Sequence, residues 1–151
     1  MKGREFMNLR TISNILLDNW SNIRFDEDCT SDKLTLKAKI FHPNYEGCNL
    51  ELEVIVFSNG ARHVTLDVGQ INARYVDRAL ENVSTFNFNN AWMRTYIDFK
   101  KNYSLNVYYS AVGYSSLPEE EVAQAILLAT NLILGEKVAE QAMKIYNGEY
   151  L

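Results

Sequence analysis

The strongest constraint in this sequence is a run of period-two alternation followed by a hairpin whose register can be read directly. From Lys33 to Phe41, Leu34, Leu36, Ala38 and Ile40 alternate with Lys33, Thr35, Lys37 and Lys39. Successive strand residues point to opposite sides, so this pattern predicts a strand with one buried and one wet face. Pro43 to Gly47 then reads as a loop. Two further strand-like runs, Leu50–Phe57 and Ala61–Val68, flank Ser58-Asn59-Gly60. A two-residue Asn-Gly turn would set Val54 against Thr65 and Leu52 against Asp67. A three-residue loop with Gly60 left-handed sets Val54 against Val64, Leu52 against Leu66 and Leu50 against Val68. A slip of one residue exchanges the faces, so the apolar pairing selects the three-residue loop.

The same arithmetic applies around Lys100-Lys101-Asn102. It pairs Phe99 with Tyr103, Ile97 with Leu105, Thr95 with Val107 and Met93 with Tyr109. Asn102 is suited to the left-handed position such a loop needs.

Helical spacing brackets these strands. Leu9, Ile12, Ile15, Leu16 and Trp20 recur at intervals of three and four, which predicts an amphipathic helix. Ile23 and Phe25 then suggest a short strand ahead of a solvated acidic turn, Asp26-Glu27-Asp28, which lacks the spacing and glycine of a calcium loop. Asn72 is placed to cap a second helix carrying Tyr75, Val76, Ala79, Leu80 and Val83 inward, ending near Asn87-Phe88-Asn89-Asn90. Ser116 and Glu119 have capping-box spacing for a last helix. Its inward stripe of Val122, Ile126, Ala129 and Ile133 continues through Val138, Ala142 and Ile145, with a kink or break at Gly135.

Residues 1–151 therefore read as one α+β domain, an antiparallel sheet with helices packed on one face. The order is helix, three or four strands, helix, two strands, long helix.

Chemistry is harder to find. Dinucleotide, P-loop, zincin and hydrolase-elbow motifs do not occur. Cys29 and Cys48 have no metal or redox spacing, and with His42 and His63 they suggest neither a zinc site nor a nucleophile–base pair. No metal or cofactor is expected. Asp67 and Asp98 read as strand-end charges, and His63 as a sheet histidine. The net charge of −4 disfavours binding to nucleic acid phosphates. No stretch is apolar for long enough to span a bilayer, and the amino terminus lacks an apolar leader, so a cytoplasmic location is expected.

The unusual feature is the outer face of the hairpin from Trp92 to Ala111. Its register sets Trp92 against Ser110, Arg94 against Tyr108, Tyr96 against Asn106 and Asp98 against Ser104. Trp92, Arg94, Tyr96 and Tyr108 are thereby expected to project together, and such residues are enriched where proteins bind each other. Either a partner covers this face or the chain's own helices do.

The stretch Ala79–Asn90 with Asn87-Phe-Asn89-Asn90, then Met93-Arg-Thr-Tyr-Ile-Asp98, Leu105-Asn-Val-Tyr-Tyr109 and Ser116-Leu-Pro-Glu-Glu-Glu-Val122, resembles the YbjN-like family. The chain departs from the secretion chaperones that share that fold in the strand at 61–68 and the helix beyond Gly135. The resemblance implies a secretion chaperone-like fold in a bacterial, cytoplasmic, non-enzymatic protein. It further implies a chaperone-like or regulatory adaptor that binds a protein partner, with pairing as a homodimer. The alternative from another class is a small-molecule-binding protein or an unrecognised enzyme built around Asp67, Asp98 or His63.

Overall fold

The computed structural model describes residues 6–113 and 117–151. The elements run α1 (Leu9–Asn19), β1 (Asp26–Cys29), β2 (Lys33–Ile40), β3 (Leu50–Phe57), β4 (Arg62–Gln70), α2 (Val76–Asn89), β5 (Arg94–Asp98), β6 (Ser104–Ala111), α3 (Glu119–Ile133) and α4 (Glu136–Tyr146). Among the described residues the six strands form one antiparallel sheet in the order β1-β2-β3-β4-β6-β5. Leu34, Leu36, Leu52, Val54, Val64, Leu66, Leu105 and Val107 alternate onto its covered side. There they share one core with Ile12 and Leu16 of α1, Ala79 and Phe86 of α2, Ile126 of α3 and Ile145 of α4. The α+β class and the element order are those the periodicity predicts.

Both hairpins adopt the apolar registers. Leu52 faces Leu66 and Val54 faces Val64, with Gly60 left-handed at φ 89°. Ile97 faces Leu105 and Thr95 faces Val107, with Asn102 left-handed at φ 53°. The outermost pairs differ. The β3–β4 ladder stops at Glu51–Asp67, and Leu50 pairs with Ile40 of β2. Phe99 and Tyr103 do not pair, because Phe99–Lys101 forms a 3-10 turn capped by the Asp98 carboxylate. The β5–β6 ladder also begins at Arg94, leaving Trp92 and Met93 outside it.

Four local expectations are corrected. The acidic stretch is edge strand β1 rather than a turn, because the free edge of β2 gives it a partner. Asp26 lies opposite Lys37, and Glu27 turns to the helix side, where Ser13 and Arg10 of α1 donate to its carboxylate. Phe25 packs its ring on Trp20 instead of entering a strand. Asn72 caps a 3-10 turn, Ala73–Tyr75, ahead of α2. The helix then buries Ala79, Asn82 and Phe86, leaving Leu80 exposed. Asn82 is satisfied inside by donating to the Glu149 carbonyl at 2.7 Å.

The break at Gly135 is as expected, and α3 and α4 meet at a 53° bend. The Tyr45 hydroxyl donates to the Ile133 carbonyl at 2.7 Å, and Asn44 donates to Leu134, so side chains replace the missing helical donors. The Ser116 half of the predicted capping box lies outside the described residues. Pro118 occupies the N-cap, and three glutamates fill the first turn against the positive helix end. Among the described residues no one helix is long and apolar enough to cross a membrane.

Candidate functional site

The wet side of the sheet is uncovered across its centre. Its ladder places Tyr108 beside Thr65 of β4 and beside Arg94 of β5. The Tyr108 ring stacks on His63 at 5.5 Å and meets the edge of Tyr96 at 5.4 Å. Thr65 Oγ1 contacts His63 Nε2. Burial in this cluster lowers the His63 pKa, which Glu53 only partly offsets. Burial followed by the charges of Asp98 and Asp67 raises that of Tyr96. Around the cluster lie ion pairs, Lys37–Glu53 at 3.2 Å and Lys101–Asp67 at 2.7 Å. Asp67 is thus engaged by Lys101 and Asp98 by its turn, so both carboxylates have structural roles.

The four residues expected to share this face separate. Tyr96 and Tyr108 stand on it together. Arg94 folds back, its Nη1 donating to the carbonyls of Asn87, Asn90 and Met93 at 2.5–3.4 Å. A guanidinium at the negative end of α2 is favoured by the helix dipole, which decides its direction. Trp92 lies beyond the ladder and borders α3 on the helix side instead. Register extrapolated past the end of a strand does not hold once the pairing stops.

Trp92 there belongs to a surface that the hairpin pattern did not reveal. A groove of about 400 Å³ runs between α3 and the end of the sheet. Ala125, Leu128 and Leu132 form one wall, and Trp92, Met93 and Tyr109 the other, with Arg62 on the rim. Trp92 is 74% exposed, Leu128 62% and Leu132 42%. Together they form an apolar patch of the kind that is often functional on a protein surface. A signal was present in the sequence. No Asp, Glu, Lys or Arg occurs from Val122 to Gly135, so beyond its three N-terminal glutamates both faces of α3 are uncharged although only one packs inward.

Arg62 bonds to the Tyr109 hydroxyl and the Gly60 carbonyl. Cys48 is half-buried against Met143, and Cys29 lies on the edge strand. Among the described residues no cluster of three His, Cys, Asp or Glu side chains is arranged to hold a metal ion.

Comparison with solved structures finds YbjN from E. coli, proposed to be a transcription regulator. The match has a TM-score of 0.63, covers 91% of this chain and 94% of that one, and is 18% identical. The fold is YbjN-like. No protein-family model and no curated protein matches the sequence.

Proposed function

We propose that this chain is a YbjN-like family member that acts as a non-enzymatic protein-binding module, a chaperone-like or regulatory adaptor in the cytoplasm. Its contact surface is the groove between Trp92 and α3. The observation that carries this reading is the exposure of Trp92 beside Leu128 and Leu132 of α3, a helix that carries no charge beyond Glu121. Depletion of charge with enrichment of aromatic residues is the signature of the buried centre of an interface. The regulator role proposed for YbjN itself is compatible with such a reading. The tyrosine cluster on the open sheet is ringed by ion pairs and is the weaker candidate.

The test is affinity capture from the native host with four baits. These are the unaltered protein, Trp92→Ala, Leu128→Glu, and an outer-face control carrying Tyr96→Ala and Tyr108→Ala. One partner is expected with the unaltered and outer-face baits and to be lost with the two groove variants. Equal recovery by all four baits would sink the assignment.

A further inference from the structure

We infer that the Trp92–α3 groove takes an acidic amphipathic helix of the partner, whose apolar stripe lies along α3 and whose carboxylate meets Arg62. The inference rests on the groove being a protein-binding surface and names the chemistry of what fills it.

Arg62 sets the charge of the occupant. It lies opposite Val56 in the β3–β4 ladder and shares the phase of Val64 and Leu66, so β4 directs it to the covered side of the sheet. There it is half-buried. The Tyr109 hydroxyl accepts from its Nε at 3.2 Å and the Gly60 carbonyl from its Nη1 at 3.3 Å. These two bonds hold the guanidinium in place without neutralising it. Among the described residues Arg62 makes no ion pair, and its Nη2 donates to none of them.

Every other residue lining the groove is uncharged. The charges just outside it do not supply the missing anion. Glu121, one turn before Ala125, is exposed to water and forms no ion pair with Arg62. Beyond Leu132, the exposed neighbours Glu136 and Lys137 offset one another. A half-buried guanidinium facing an apolar cleft suits a carboxylate, which it can meet with paired hydrogen bonds.

The walls favour a helix as the carrier of that carboxylate. Ala125, Leu128, Ala129 and Leu132 repeat at spacings of three and four, and the two alanines leave room for the side chains of a second helix. From Ala125 to Leu132 the wall is about 10 Å long, two turns of an occupant. β5 begins beyond the groove at Arg94, so no free strand edge borders it. An extended segment would press unpaired backbone groups onto apolar side chains, whereas a helix satisfies its own. A single lipid chain is too narrow. Trp92 and Leu128 stand 74% and 62% exposed on opposite walls, and a body about 10 Å across, the width of a helix, covers both.

The experiment selects displayed helical peptides on the folded protein, with an alanine-rich frame and one face randomised, and counter-selects on Leu128→Glu. Recovered sequences are expected to carry large apolar residues at spacings of three and four, with Asp or Glu enriched at one flanking position. The same selection on Arg62→Glu is expected to replace that acid by Lys or Arg, a reversal that a purely structural Arg62 does not produce. Fluorescence titrations follow Trp92, since Trp20 is buried and gives a constant background. Changing the acid of a selected peptide to lysine is expected to weaken its binding to the unaltered protein about tenfold and to strengthen its binding to Arg62→Glu. Circular dichroism checks the fold of that variant. If it does not fold, Arg62→Gln takes its place and is expected to abolish the discrimination between the two peptides. An apolar stripe without enrichment of acid overturns the acidic helix. Recovery of no helical peptide overturns the inference, and a Trp92 emission shift with decanoate then assigns the groove to an aliphatic ligand. Self-association that Leu128→Glu abolishes assigns it to a second copy and likewise overturns the inference. If selection fails while capture of a protein partner still depends on Trp92 and Leu128, the protein-binding reading stands and only the acidic helix is wrong. If capture does not depend on them either, both fall.

Discussion

Asn87 is the residue on which the free edge of the sheet depends, and its removal has a calculable cost. β5 is the last strand, so its outward backbone groups have no neighbouring strand. The Asn87 carboxamide takes that place. Its Oδ1 accepts from the Thr95 N–H at 2.8 Å, and its Nδ2 donates to the Thr95 carbonyl at 3.2 Å. Thr95 is only 2% exposed, so water does not readily replace the lost partners. Two such bonds contribute about 2–3 kcal/mol when each is counted with its unsatisfied partner. Alanine returns about 0.5 kcal/mol through its better helix propensity. Asn87→Ala should therefore cost about 2 kcal/mol, which for a chain of 151 residues lowers the melting temperature by about 4–8 °C. Urea denaturation followed by circular dichroism measures the energy, and amide exchange at Thr95 reports the site. Asn89→Ala, on the exposed side of the same helix end, is the control and should leave both unchanged. The unclipped edge should also associate in a concentration-dependent way, as unprotected strands do. A loss below about 0.5 kcal/mol with unaltered Thr95 exchange would refute the reasoning.

Tyr45→Phe removes the hydroxyl that holds the last turn of α3 at Ile133 and should cost about 1–2 kcal/mol in urea titrations. Its effect should be seen in amide exchange at the α3–α4 bend and not in the β1–β2 hairpin. Acid stability should report on Glu27, whose carboxyl is held below its ordinary 4.5 by hydrogen bonds from Ser13 and then Arg10. A folded value below the unfolded one means that this stabilisation is complete above pH 4.5 and is lost as pH falls through the lower value. Ser13→Ala should flatten that part of the pH–stability curve, and an unchanged slope would count against the assignment.

What was legible in advance depended on how local the deciding interactions are. The two hairpin registers follow from alternation and from Gly60 and Asn102, because a slip would bury charged residues such as Glu53, Asp67 or Arg94 and expose leucine. The break at Gly135 was equally local, although the side chains that secure it, Tyr45 and Asn44, come from a distant loop. The acidic β1 was misread since Asp26, Glu27 and Asp28 have low strand preference and owe their conformation to β2 and to Arg10 and Ser13. In α2, Leu80 was placed inward because periodicity does not reveal the extra 3-10 turn before the helix.

The candidate site divides along the same line. The pairing that sets Tyr96 and Tyr108 on one face was contained in the hairpin itself. The directions of Arg94 and Trp92 were not. The first is drawn to the carbonyls ending α2, and the second leaves the ladder to lie beside α3. By itself the sequence determined which residues alternate, where the chain turns and that α3 carries no charge beyond Glu121 on either face. Only the tertiary structure decided which of those uncharged faces stayed open. Exposure is a property of what packs against a helix, and the packing partners here come from opposite ends of the chain.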